Sequence, residues 1–257
     1  MAVEVFNRYE KKYVLDADTY ERVIRRVSEY AEPDEHNKAG RLYEIRNVYY
    51  DTRDSALIRR SLSKPHYKEK LRLRSYGEPK AGDMVYAEIK KKAGGLVNKR
   101  RSAMYPREAE RFLGGGGIEL APYMNAQVVG EIGYMLESAG ERLSPLRPAA
   151  YLAYDREAFF GIGRHDVRVS FDTNIRTRRD DLTLDRDGGE PLLEPGLRIM
   201  EIKAARSIPL WLCGLLSEYK IYPMGFSKYG AEYINSHERI SKARCKSHAR
   251  PLSPAKG

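Results

Sequence analysis

Apolar and polar positions alternate with a period of two in a series of short segments of this chain, and in several of them the polar positions carry charge. Lys68, Lys70, Arg72 and Arg74 fall at every second residue while Leu71 and Leu73 point the other way, because successive side chains leave a strand on opposite faces. The same alternation groups Arg8, Glu10 and Lys12, then Tyr86, Glu88 and Lys90, then Arg168, Ser170 and Asp172, then Glu201 and Lys203 against Met200 and Ile202. It predicts strands over residues 3–14, 42–50, 66–76, 84–92 and 97–104, the later ones as an antiparallel meander. A second group of strands is predicted over 150–159, 167–173, 175–184 and 197–204. Helical spacing runs through Tyr20, Val23, Ile24 and Val27, with Asp18 as the cap, Glu21 at the capping-box position and Pro33 as the stop. Further helices are predicted after Asp54, over 106–113 and 122–138, and from Ser207 and Ser227. Gly114 to Gly117 reads as a connector, since it lacks the Lys-Ser/Thr ending of a phosphate-binding P-loop.

These elements make an α+β protein with a largely antiparallel sheet. If the apolar faces lie beneath helices, the charged faces turn toward one another and close a β-barrel or tunnel with a polar, basic lumen and helices packed outside. An open sheet with one solvated face is the ordinary alternative. Solvated faces mix signs and include Ser, Thr and Gln, whereas these strands repeat Arg and Lys with an occasional Glu. Cations opposite one another across strands repel, so such rows call for a polyanion, some carboxylates and a metal. Residues 1–235 read as a single domain and 236–257 as a basic, disordered tail.

Composition narrows the partners. The net charge of +10 over 257 residues favours anions but does not choose among phosphates, nucleic acid and acidic membranes. The cluster Lys90, Lys91, Lys92 with Lys99, Arg100 and Arg101 is better explained by two adjacent strands than by a nucleic-acid patch, and few aromatics alternate with these cations, so no nucleic acid is expected. Cys213 and Cys245 lack metal-ligand spacing and suit a reducing, cytoplasmic location. The most apolar stretch, Ile208 to Leu216, is too short to span a bilayer, so no transmembrane segment is expected. The histidines are scattered, and neither His-Glu-x-x-His nor Gly-x-Gly-x-x-Gly occurs.

The ordered runs Arg8-Tyr9-Glu10-Lys11-Lys12-Tyr13, Asn47-Val48-Tyr49-Tyr50-Asp51-Thr52, Lys70-Leu71-Arg72-Leu73-Arg74, Glu88-Ile89-Lys90-Lys91, Tyr154-Asp155-Arg156, Val167 to Asp172, Glu201-Ile202-Lys203 and Phe226-Ser227-Lys228-Tyr229 carry a family resemblance. Together, from about Phe6 to Tyr233, they resemble the VTC domain, the polyphosphate polymerase domain of vacuolar transporter chaperones, within the triphosphate tunnel metalloenzyme superfamily. The resemblance implies a tunnel that binds ATP or another nucleoside triphosphate, adds its terminal phosphate to inorganic polyphosphate, and uses Mn²⁺ or Mg²⁺. It implies catalytic roles for Arg72, Arg74, Lys90 and Lys228, and phosphate contacts for Arg8, Lys12, Lys70, Lys99, Arg156, Arg168 and Lys203. Glu201, with Glu88 and Glu10, is the implied metal set. Phosphoryl transfer needs in-line geometry and fixed positive charge more than acid-base groups, which matches this inventory. A triphosphate hydrolase in the same tunnel and a non-catalytic polyphosphate-binding module are the alternatives. The chain reads as a stand-alone version without the regulatory domain and membrane helices of the eukaryotic subunits, and Gly225 stands where those subunits commonly place a lysine.

Overall fold

The computed structural model describes residues 9–37, 41–94, 96–142, 145–205 and 207–248, so Arg8 and residues 249–257 lie outside it. Within it the alternating segments join one antiparallel sheet of β1 (Tyr9–Leu15), β2 (Ala31–Pro33), β3 (Tyr43–Asp51), β4 (Tyr67–Tyr76), β5 (Val85–Ala93), β6 (Leu96–Met104), β7 (Arg147–Gly161), β8 (Arg164–Arg178), β9 (Glu190–Pro191) and β10 (Arg198–Ala204). The main path runs β1-β10-β8-β7-β3-β4-β5-β6, with β2 on β7 and β9 on β8. Strands β3 to β6 form the expected meander. Six helices are described: α1 (Ala17–Tyr30), α2 (Ala56–Leu62), α3 (Pro106–Leu113), α4 (Ala126–Arg142), α5 (Leu210–Glu218) and α6 (Lys228–His248).

The sheet curls but does not close. Its two edges, β1 and β6, are unpaired with each other, and the molecule is an open half-barrel where a closed barrel was expected. A side-chain contact, Lys90 Nζ to Glu10 Oε1 at 4.0 Å, is what reaches across the seam.

Apolar residues on the convex face build two cores. Val48, Leu71, Leu73, Val85, Ile89 and Met104 meet Phe112 and Leu113 of α3 and Val128 and Ile132 of α4. Tyr13, Phe159, Val169, Phe171, Met200 and Ile202 meet Val23 and Val27 of α1 and Leu212 and Leu215 of α5. A third core fills part of the concave side, where Ile45, Tyr49, Leu152, Tyr154 and Ile199 surround Ile58 of α2 and Tyr229 of α6. The remaining concave surface is polar.

Three local expectations change. Asp16, not Asp18, caps α1, its side chain accepting from Thr19 N at 2.7 Å, because β1 ends at Leu15 and leaves Asp16 as the first free position. The two strands predicted around Thr173 are one, kinked at Asn174, which takes the left-handed conformation (φ +48°) that asparagine tolerates. Helix α6 continues past Ser236 to His248, where the polar composition had suggested fraying. No described helix is long and apolar enough to cross a membrane.

A candidate phosphate-binding lumen

Strand register turns the sequence alternation into transverse rows of side chains on the concave face. Lys70, Lys90 and Lys99 stand directly opposite one another across β4, β5 and β6. The next row is Tyr49, Arg72, Glu88 and Arg101, and the one after it Asn47, Arg74 and Tyr86. On the other half, Glu10, Lys203 and Arg168 form one row, Lys12, Glu201 and Ser170 another, and Arg156 pairs with Asp172. The basic cluster at 90–92 and 99–101 divides by face: Lys91 and Arg100 turn to the convex side and pair with Glu131 of α4.

Glu88 is the hub of the first half. It is 2 % exposed; Arg72 Nε donates to its Oε2 at 2.6 Å, Lys99 Nζ lies 3.0 Å from its Oε1, and Arg74 Nε is 3.8 Å away. Burial works to raise its pKa, but Arg72, Arg74 and Lys99 overcome that and hold it far below the usual carboxylate range. Tyr49 Oη accepts from Arg72 at 3.1 Å, and Asn47 Oδ1 and Tyr154 Oη accept from Arg74 at 2.9 and 3.2 Å. Arg74 is therefore a buried support for the lumen wall, whereas Arg72 keeps part of its surface open.

The second half is organised by Glu201 and Asp172. Glu201 sits 3.2 Å from Lys12 Nζ and 2.6 Å from Lys203 Nζ, and those cations, with Arg156, hold it ionised despite burial. Glu10 pairs with Lys12 on the same strand. Asp172 has no exposed surface; it receives Arg156 through Nε at 2.6 Å and Nη2 at 2.9 Å, and Lys228 Nζ reaches its Oδ2. Lys228 thus anchors the start of α6 to β8. Ser227 caps that helix through Gly230 N at 3.2 Å, and its hydroxyl also accepts from Lys70 at 2.9 Å. Arg168 donates to Asp34 Oδ2 at 2.6 Å and to Tyr43 Oη at 3.1 Å.

Lys90 and Lys99 remain open to solvent, with side chains 43 % and 44 % exposed. Desolvation and neighbouring cations pull the Lys99 pKa down to about 7 and that of Lys70 down to about 8, and Lys90 is lowered as well. Such a row gains from an anion. A divalent cation fits only with help: no group of three or more His, Cys, Asp or Glu forms a cage among the described residues. Glu10 and Glu201 lie on paired strands and feel one another's charge. A hard ion is commonly held by one or two carboxylates plus substrate phosphate oxygens, and this pair suits that donor set. Glu88, the third carboxylate of the implied set, stands on β5 and faces Arg72 and Lys99.

Comparison with known proteins decides the family. The family model of the VTC domain matches residues 7–237. The chain belongs to the VTC domain family. The VTC fold here is shared with the crystal structure of a candidate adenylate cyclase from Bacillus halodurans, 16 % identical over 85 % of this chain and 92 % of that one, with a TM-score of 0.51. A candidate adenylyl cyclase from Hippeastrum, described as having a dominant triphosphatase activity, is 13 % identical over 86 % of this chain and 92 % of that one, with a TM-score of 0.47. No curated protein matches. The likeness to the Bacillus halodurans structure is one of fold.

The structure brings the cations and carboxylates implied by the resemblance onto one concave surface, Arg8 excepted. It also gives roles to residues for which the sequence reading named none. Asp172 lay in the Arg168, Ser170, Asp172 alternation, which was a usable signal; Asp34, in a turn after Pro33, left none. Asn47 and Tyr49 belonged to a recognised run, but their service to Arg74 and Arg72 appears only once β3 and β4 are paired.

Proposed function

We propose that this VTC domain transfers the terminal phosphate of a nucleoside triphosphate to inorganic polyphosphate within the half-barrel. The observation that carries this reading is the row Lys70, Lys90, Lys99: three lysines in register, two of them with open side-chain surface, whose carboxylate neighbours are Glu88, already bound by Arg72, and Glu10, already paired with Lys12. A phosphate chain bound in the lumen supplies further negative charge to this row. Arg72, oriented by Glu88 and Tyr49, presents its free edge to phosphoryl oxygens as a planar donor, and Lys90 and Lys99 supply compact charge beside it. Arg74, Arg156 and Lys228 act from behind, holding the wall and the start of α6. Lys12, Lys203 and Arg168 line the opposite side.

In the transfer, a terminal phosphate oxygen of the acceptor attacks the γ-phosphorus, the bond to the β,γ-bridging oxygen breaks, and nucleoside diphosphate leaves. The acceptor oxygen is already ionised at neutral pH, so no general base is required. Mn²⁺ or Mg²⁺ at Glu10 and Glu201 supplies charge neutralisation on the phosphates when bound. The open seam between β1 and β6 favours a second reading, triphosphate hydrolysis, because it leaves the lumen accessible to water. Incubation with γ-labelled ATP and Mn²⁺, with and without a short polyphosphate primer, separates them on a gel. Primer-dependent growth of labelled chains is expected; release of free phosphate alone selects the hydrolase, and absence of any turnover contradicts both.

A further inference from the structure

We propose that a cavity beside Arg168, at the rim of the lumen, receives the nucleoside end of the donor. This rests on reading the lumen as a nucleoside triphosphate site. The cavity has a volume of about 340 Å³, within the range of small-ligand pockets, and is lined by Glu32, Asp34, Glu35, His36, Phe160 and Arg168. Arg168 is its wall in common with the lumen, since it stands in register with Lys203 and Glu10 while its guanidinium lies 5.3 Å from the Phe160 ring centroid.

The wall is preformed. Asp34, almost fully buried, accepts from His36 N at 3.1 Å and Asn37 N at 3.0 Å through Oδ1, and from Arg168 at 2.6 Å through Oδ2, so one carboxylate fixes both the turn and the arginine. From His36 an arc of rings follows the rim. The His36 ring lies 5.6 Å from that of Tyr43 and 6.0 Å from that of Tyr76, nearly parallel to the latter at 18°. Tyr76 meets Tyr86 at 5.8 Å, and Arg101 sits 4.6 Å from the Tyr86 ring centroid. The His36 side chain is 59 % exposed and Tyr76 is 44 % exposed, so this stacked pair keeps aromatic surface that a planar partner can extend.

Polarity sets the orientation. Glu32 and Glu35 repel a phosphate chain but accept hydrogen bonds from ribose hydroxyls and from an exocyclic amine, while the neighbouring lumen is cationic. A nucleoside triphosphate has one neutral, donor-rich, stackable end and one polyanionic end, and it matches this juxtaposition; inorganic polyphosphate has no part that does. The base stacks on His36 and Tyr76, the ribose faces the carboxylates, and Arg168 meets the first phosphates.

Calorimetric titration with ATP and, separately, with inorganic tripolyphosphate tests this in wild type, His36→Ala, Tyr76→Ala and Tyr76→Phe. The ratio of ATP to tripolyphosphate affinity is expected to fall about tenfold in each alanine variant, the scale of one lost base–aromatic stack, and to be retained in Tyr76→Phe. A ratio unmoved by either alanine variant, or equal losses for both ligands, overturns the proposal. Wild-type binding of tripolyphosphate without ATP overturns the pocket alone, whereas binding of neither removes the lumen reading as well.

Discussion

Lys70 and Lys99 are the residues whose protonation a bound phosphate chain should change most. Their pKa values, about 8 and about 7, lie below the ordinary lysine value because partial removal from water and neighbouring cations penalise the charged form. For the free protein the sign follows directly. Between about pH 7 and the unfolded lysine value near 10, the unfolded chain binds more protons than the folded one, so these groups make stability rise with pH across that window. A polyanion prefers the protonated lumen, so tripolyphosphate affinity should fall as pH rises through 7 to 8, with proton uptake on binding. Calorimetry in two buffers of different ionisation enthalpy reads that uptake; equal heats in both buffers would contradict it. The carboxylates divide by a similar comparison. Glu88→Gln removes the charge that Arg72 and Lys99 face and should cost about 3 kcal/mol in urea denaturation, the scale of a broken buried pair, without changing Mn²⁺ affinity. Glu201→Gln should weaken Mn²⁺ binding in the presence of tripolyphosphate by about tenfold or more, measured by the loss of the free-ion resonance signal. At this scale the alternation told which side chains share a face, because period two is a property of each strand. It did not tell which of them would also bond to one another: Arg74 and Lys228, for which the resemblance implies catalytic roles, bond to Asn47, Tyr154 and Asp172.

At the scale of elements, one strand end ties the floor of the lumen together. Asp51, the last residue of β3, accepts from Leu57 N at 2.9 Å and Ile58 N at 3.0 Å at the start of α2, and from Tyr229 Oη of α6 at 2.9 Å. The Tyr229 ring stacks on Tyr49 with centroids 4.5 Å apart, and Tyr49 in turn accepts from Arg72. Asp51→Ala should therefore uncouple both helices from the sheet and cost about 3 kcal/mol, whereas Tyr229→Phe keeps the stack and should cost about 1 kcal/mol, both read from denaturant midpoints. Equal losses would show that the hydroxyl, and not the carboxylate's reach into α2, dominates. Strand and helix positions were legible because their periodicities differ, and α3 falls at the predicted residues 106–113. The exceptions have local causes. Asn174 permits a kink where a break was read, and the choice between Asp16 and Asp18 depends on where β1 ends, which the apolar stripe of α1 does not encode.

At the scale of the molecule, closure was the feature beyond reach of the pattern. Alternation says which face is polar; whether β1 and β6 meet depends on twist and strand length, neither of which has a period. For the proposed transfer this matters, since an open lumen leaves room for water as well as for a long acceptor. The same strands offer a matched control for the claim that the concave face is the phosphate site. Lys90 and Lys91 are adjacent in sequence, as are Lys99 and Arg100, yet the first of each pair faces the lumen and the second faces Glu131 on the outside. At pH 6, where Lys99 with its pKa of about 7 is largely protonated, each alanine substitution removes one positive charge from nearly the same place, so diffuse electrostatics treats the members of a pair alike. The direct measurement is tripolyphosphate affinity by calorimetry across Lys90→Ala, Lys91→Ala, Lys99→Ala and Arg100→Ala. A lumen site predicts about tenfold or greater losses in the Lys90 and Lys99 variants, as expected for charge-assisted contacts, and near wild-type affinity in the other two. Equal losses within each pair, or none in any, would contradict it.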